Sequence, residues 1–289
     1  MLSAALRDPN APIRETDNDA ATSRLSAVQL GYFSDPFARH MVQRPTQRPP
    51  LINIGTHART WAIDRLVHNF LTSQSQPVGS ARDKQIISLG AGSDTRFWRL
   101  QRDRPELWSR LRRYVELDFE ESTARKGQVI KRHSEFHDAL GGDFQLGQGG
   151  TALKSSTYRL IPADLRSVLK DLAPKFTEGP DPILDPTVDT LLLLECVCIY
   201  ISPGVTQPLV DWAAKTFSRA AVVWYDPTDL TDAFGRMMVN NLRSRRIELH
   251  GSEDTDQKAR LQRAGFSSSS SETVLAIRKH SIPKAELER

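Results

Sequence analysis

The chain has 289 residues, 39% of them apolar, which is enough to bury a sizeable core and suits one α/β domain with an appendage. Its formal net charge of +4 is scattered, with Arg243, Arg245 and Arg246 as the densest basic cluster, so the basic stripe of a nucleic-acid binder is excluded. The longest apolar run, residues 191–201, is interrupted by Glu195 and falls short of the ~20 residues that span a bilayer.

The N-terminus lacks the apolar run of a signal peptide, so a soluble, intracellular protein is expected. Two cysteines occur, Cys196 and Cys198. In a predicted strand they share one face, lie too close for a disulfide, and are too few for a zinc site. They read as small core residues in a reducing cytoplasm, and no metal centre is expected.

Residues 1–15 read as a polar, mobile tail. Thr16 or Asp17 can cap a first helix with Leu25, Val28 and Leu30 on its apolar face. After a proline-rich loop (Pro45, Pro49, Pro50), a second helix is predicted over residues 57–71, with Ile63, Leu66, Val67 and Phe70 on one side. Residues 16–80 thus form a helical unit, closed by a linker at 73–83, and residues 81–289 form an α/β core. Strands are predicted at 85–89, 114–118, 158–163, 190–201 and 220–225. They alternate with helices at 94–102, 119–131, 165–172, 203–218 and 228–249, the pattern of a mostly parallel, Rossmann-like sheet. Residues 137–156, with five glycines, read as an irregular insertion, and the serine run 267–271 as a loop. The end, HSIPKAELER, looks like the start of a helix.

The first predicted strand runs into Gly90-Ala91-Gly92-Ser93-Asp94-Thr95 and then a helix. Glycines at such a turn let a ligand approach the backbone. Asp118 closes the next strand, where a carboxylate can accept both hydroxyls of a ribose; Glu116 is the weaker candidate. Strand, glycine turn, helix, strand and acid together favour a nucleoside cofactor over a tight structural turn. A dinucleotide turn wants a third glycine where Thr95 stands, and Asp94 puts negative charge where a pyrophosphate would lie. A cationic, phosphate-free donor, S-adenosylmethionine, fits better. Asp164 either serves the adenine or caps the following helix. Glu195, in the apolar run LLLLECVCIYI, needs either a buried arginine or a place beside the cofactor, and the second is preferred.

LGAGSDTRFWRL (89–100), ELDF (116–119), ADLR (163–166), ECVCIYISP (195–203), RLSAVQLGYFSDP (24–36), INIGTHAR (52–59) and FGRMMVNNL (234–242) carry a resemblance from about Thr16 onward. The chain resembles the leucine carboxyl methyltransferases, which methylate the C-terminal leucine of protein phosphatase 2A catalytic subunits. The resemblance implies a class I S-adenosylmethionine-dependent methyltransferase fold with an N-terminal helical lid, working in the cytoplasm on that phosphatase tail. It implies cofactor contacts from Gly90, Asp118, Asp164, Leu165 and Glu195, and a clamp on the cofactor's carboxylate from Arg59. Arg24 would stand beside cofactor and substrate, where the family often has lysine, and Tyr200 would line the active site. It also implies a helix and a closing strand after residues 282–286, so this sequence is expected to lack the last strand. Rival readings are another O-methyltransferase of the same fold, a non-catalytic phosphatase-binding module, and an NAD oxidoreductase, which Thr95 disfavours.

Overall fold

The computed structural model describes residues 8–74, 83–142, 144–171, 173–178 and 180–287. Three helices lead: α1 (Ala11–Gln29), the single turn α2 (Ala38–Met41) and α3 (Pro50–Thr72). The chain then runs through β1 (Lys84–Leu89), α4 (Arg96–Asp103), α5 (Pro105–Trp108), β2 (Leu111–Asp118), α6 (Glu120–Arg132) and α7 (His137–Leu140). A hairpin of β3 (Gln145–Gly147) and β4 (Ala152–Lys154) precedes β5 (Tyr158–Pro162) and the short helices α8 (Val168–Asp171) and α9 (Ala173–Thr177). Then come β6 (Asp189–Glu195), α10 (Pro203–Thr216) and β7 (Ala220–Tyr225). Four helices follow: α11 (Ala233–Ser244), α12 (Gln257–Ala264), α13 (Val274–His280) and α14 (Lys284–Leu287).

One seven-stranded sheet has the order β3-β4-β5-β2-β1-β6-β7. The five strands from β5 to β7 are parallel, and β3 and β4 add an antiparallel edge. Every residue of β1 is buried, as expected of a strand covered on both faces. Alternation sorts the side chains: Ile86, Leu191 and Leu193 pack with Phe97, Trp98, Tyr114 and Tyr158 on one face. Ile87, Leu192 and Leu194 pack with Leu209 and Val210 of α10 on the other. The chain passes from β1 to β2 on one side and later to β6 on the other. The strand order therefore reverses at β1, which opens a crevice at the carboxyl ends of β1 and β6.

Several expectations need correction. Helix α1 begins at Ala11, inside the expected tail, because Pro12 in its first turn has a helical φ and no amide to leave unsatisfied. The tail's first seven residues, and residues 75–82 of the linker, lie outside the described residues. The expected strand 190–201 ends at Glu195; Cys196 turns the chain at φ +55° and Cys198–Tyr200 form a 3-10 turn. Val197, Cys198 and Ile199 stay buried, so apolar residues that continue past Glu195 do not reveal where the sheet stops. The cysteines accordingly do not share a strand face. The glycine-rich stretch 137–156 holds the β3–β4 hairpin, and the predicted helix 165–172 shrinks to α8. Among the described residues no helix is long and apolar enough to cross a membrane.

A buried ion pair ties α6 to the sheet. Lys126 Nζ contacts the Glu116 carboxylate of β2, donates to the Asp94 carbonyl at 2.7 Å, and lies over the Trp98 ring. Tyr158 Oη donates to the same Glu116 oxygen at 2.6 Å. Burial pushes the Glu116 carboxyl up to about 7 despite Lys126. Lys126→Ala removes the cation but not the acid. Urea denaturation at pH 8 should show a loss of about 3–5 kcal/mol. At pH 5 the loss should shrink, because a carboxyl whose pKa is raised in the folded state is then protonated and neutral. Equal losses at both pH values would show that Glu116 does not titrate in between.

Candidate active site

The turn after β1 works through its glycines. Gly90 (φ +63°) and Gly92 (φ +46°) both occupy the left-handed region, and a Cβ on Gly90 would lie 2.5 Å from a Val197 methyl. The Gly92 amide donates to Asp118 Oδ2 and the Phe119 amide to Asp118 Oδ1, both at 2.7 Å. Asp118 thus sits at the end of β2, facing the turn. From above, α1 supplies Asp17, whose Oδ1 accepts from the Ser93 amide and hydroxyl, each at 2.7 Å. A Cβ on Gly92 would fall 2.3 Å from that oxygen, so the glycine also makes room for α1. Burial, and then the neighbouring Asp17 charge, push the Asp118 carboxyl up to about 6 against the pull of its two amide donors.

Beside the turn runs a network of four arginines and four acids. Glu195 lies 3.0 Å from Arg59 Nε and 3.2 Å from Arg96 Nη2. Arg96 also holds Asp94 and, at 2.7 Å, Asp64. Arg99 grips Asp64 at 2.6 Å and approaches Asp35 at 3.6 Å. Arg24 lies between Asp35 (3.5 Å) and Asp94 (3.9 Å), with its guanidinium over the Phe33 ring. Asp35 further accepts from Thr95 Oγ1 at 2.6 Å. The arginines hold the carboxyls of Asp64 and Asp94 below the usual range.

A cavity of about 940 Å³ opens where these elements meet, at the carboxyl ends of the parallel strands. All eight residues singled out in the sequence line it: Arg24, Arg59, Gly90, Asp118, Asp164, Leu165, Glu195 and Tyr200. The two readings of Glu195 merge, since it is ion-paired to buried arginines and faces the cavity as well. Asp164 caps no helix, since α8 starts only at Val168; it lines the cavity, and its carboxylate accepts from the Arg166 amide at 2.9 Å and is held by the Arg166 guanidinium, which keeps its pKa low. Burial pushes the Tyr200 phenol up to about 12, so it stays a neutral donor, with Thr16 of α1 beside it. Arg59 lines the cavity while its Nε faces Glu195 at 3.0 Å and its Nη1 donates to Cys196 Sγ at 3.6 Å. Apolar walls come from Ile13, Ile52, Phe234, Met238 and Leu242.

Sequence reasoning missed Asp17, Asp35, Asp64, Arg96 and Arg99. The last two sit three apart, on one face of α4, which is a readable signal for a shared partner. Asp64 and Asp35 offer no local signal. Asp94, read as free negative charge beside the turn, is neutralised by Arg96 and Arg24. Its charge therefore does not discriminate between cofactors, and the weight against a dinucleotide rests on Thr95.

The family model for leucine carboxyl methyltransferase matches residues 13–214. Leucine carboxyl methyltransferase 1 of Cryptococcus neoformans is 38% identical, over 96% of this chain and 85% of its own length. The Bos taurus protein of the same name is 33% identical, over 96% and 81%. Among solved structures, the geranyl diphosphate C-methyltransferase of Streptomyces coelicolor aligns with a TM-score of 0.41 and 10% identity, covering 89% of this chain and 79% of that one.

The pairing of Glu195 sets an expectation for its removal. Glu195→Gln leaves Arg59 and Arg96 short of one negative charge in a region that is largely buried. The ligand-free protein should lose about 2–3 kcal/mol, below the 3–5 kcal/mol of a fully isolated pair because Asp94 and Asp64 still hold Arg96. A urea midpoint unchanged from wild type would show that the network does not depend on Glu195.

Proposed function

Because the chain belongs to the leucine carboxyl methyltransferase family, we propose that its substrate is the C-terminal leucine of protein phosphatase 2A catalytic subunits, esterified on the α-carboxylate. Carboxyl methylation with S-adenosylmethionine is the chemistry of the family. The observation that carries the substrate reading is the cavity, which combines buried guanidinium groups with apolar walls. At about 940 Å³ it is at the upper end for a small-ligand site and suits a cofactor together with a leucyl chain end.

The residues fit the cofactor. The left-handed glycine turn lets a ligand approach the backbone, and Asp118 offers carboxylate oxygens to ribose hydroxyls. Arg59, which lines the cavity, is assigned to the cofactor's carboxylate, and Leu165 and Asp164, in the same lining, to its adenine. When bound, S-adenosylmethionine supplies an electrophilic methyl group on a sulfonium. The acceptor carboxylate, with an ordinary pKa near ~3.5, is already ionised at neutral pH, so no general base is required. What the protein must do is align and desolvate it. Tyr200 is assigned as a hydroxyl donor to that carboxylate and Arg24 as the fixed positive charge beside it. The Ile52, Phe234 and Met238 walls would take the leucine side chain. Helices α1 and α3 are assigned as the lid, and the cytoplasm, on the two free thiols, as the compartment.

Two measurements test this reading. Isothermal titration with S-adenosylmethionine should show affinity falling as pH drops through about 6, by up to about tenfold per unit, because a protonated Asp118 cannot accept both hydroxyls. Asp118→Asn should be weak at every pH, with a flat profile; a profile that survives the substitution would remove Asp118 from the cofactor site. With labelled donor, transfer to intact phosphatase catalytic subunit should far exceed transfer to a short peptide of the same ending. One leucine and one carboxylate provide only a few kcal/mol of recognition. Undiminished transfer to a subunit lacking its terminal leucine would overturn the proposal.

A further inference from the structure

Away from the cavity, α2 meets the segment after α6 through three side chains that no step of methyl transfer requires. His40 belongs to α2, while His133 and Glu135 lie just beyond the end of α6. The two imidazole rings have centroids 4.1 Å apart, and His40 also packs edge-on against Phe136 at 5.6 Å. His40 Nε2 stands 3.3 Å from Glu135 Oε1, and one ligand atom from each of the three residues lies within 4.8 Å of the others. Around a tetrahedral zinc with bonds of about 2.0–2.1 Å, neighbouring ligand atoms stand roughly 3.3 Å apart. The His40–Glu135 edge already has that length, and the remaining edges need side-chain adjustments of about 1.5 Å at most.

A cationic group already occupies this place. Arg39 Nε donates to His40 Nε2 at 3.0 Å, and Arg39 Nη2 pairs with Glu135 Oε1 at 2.8 Å. The guanidinium thus engages the same lone pair and the same carboxylate oxygen that a metal would take. Its side chain is 62% exposed, so it can leave for water at little cost. We propose that His40, His133 and Glu135 form a surface site for a divalent transition metal of the zinc class, with Arg39 as the placeholder that the ion displaces. Two imidazoles and one carboxylate are a donor set for zinc, nickel or copper rather than for calcium or magnesium. The fourth position is left to water.

Bound there, an ion would join α2 to the α6 end of the core. The loop leading into α2 carries Asp35, which accepts from the Phe37 and Ala38 amides at 3.1 and 3.2 Å and reaches Arg24 and Arg99. The metal would therefore pin the segment that anchors the charged network, and should raise the melting temperature.

The test is titration of the purified full-length chain with zinc chloride in a non-chelating buffer, with melting followed in parallel. Wild type should bind one ion at this site with a rise in melting temperature. His133→Asn, at a half-buried position, and Glu135→Gln, at an exposed one, should each weaken binding by roughly tenfold or more while circular dichroism stays unchanged. Arg39→Gln should tighten it severalfold. A wild-type isotherm with no saturable binding would overturn the proposal, as would one that H133N and E135Q leave unaltered. Unchanged or weaker affinity in R39Q would overturn the placeholder role.

Discussion

Burying charge in quantity is feasible here only because the charges alternate. Arg24, Arg59, Arg96 and Arg99 interleave with Asp35, Asp64, Asp94 and Glu195, and every guanidinium in the chain of contacts touches an acid. Any one of these groups alone in the interior would cost several kcal/mol. Together they are electrically neutral, and they come from α1, the loop before α2, α3, the turn after β1, α4 and the end of β6. The N-terminal helices are thus attached by ionic contacts beside the cavity as well as by the apolar contacts of Phe37, Ile63, Val67 and Leu71 with the core. This attachment has a geometric consequence. Paired charges fix direction where apolar packing would tolerate sliding, so the network sets where α1 crosses the glycine turn.

That crossing links the helices to the floor of the cavity. Asp17 takes the Ser93 amide and hydroxyl, and Asp118 takes the Gly92 amide next to it, so two carboxylates share one turn. Their mutual repulsion is part of why Asp118 titrates high, and Arg125, paired with Asp17 at 2.5 Å, offsets it from outside. Movement of α1 away from the turn would relieve that repulsion and free the Ser93 amide. The acidity of Asp118 and the position of the helix above it are therefore one coupled property.

How much of this was legible in the sequence depends on whether the signal is local. The parallel strands were, because apolar runs bounded by turn residues report burial on both faces; β7 was located to the residue. Gly90, Asp118 and Glu195 were readable too, since each falls at a strand end where such folds hold ligands. The end of β6 was not, because Val197 to Ile199 remain buried after the backbone leaves the sheet. Asp17, Asp35 and Asp64 were invisible for a different reason. Their roles are fixed by partners far along the chain, at Ser93, Thr95, Arg96 and Arg99, and nothing near them marks it. The β3–β4 hairpin was hidden by glycines that read as irregular chain.

The titration pattern carries a caution about locating catalysis. In many sites a carboxyl pushed toward neutrality marks the acid or base. Here Glu116 and Asp226 are both pushed up to about 7 by burial, yet neither lines the main cavity. Glu116 is enclosed by Lys126 and Tyr158, where it ties α6 to the sheet. Asp226 accepts from the Trp224 indole at 2.6 Å, and the nearby Val197 and Ile199 amides favour its charged form against burial, so it sits behind the turn after β6. Both are positioning groups. A carboxylate nucleophile explains why the cavity has no use for them: it arrives ionised, and a reaction that transfers methyl to it needs no proton removed. Apart from Asp118, which is assigned to the cofactor's ribose, the groups assigned to the acceptor carboxylate are ones whose charge state is fixed at neutral pH. The arginines stay protonated, and Tyr200 stays a phenol because its pKa is raised to about 12. Arg24 and Tyr200, a permanent cation and a neutral donor in the roles assigned to them, are suited to holding an anion still, and that alignment, with desolvation, is what this chemistry leaves to the protein.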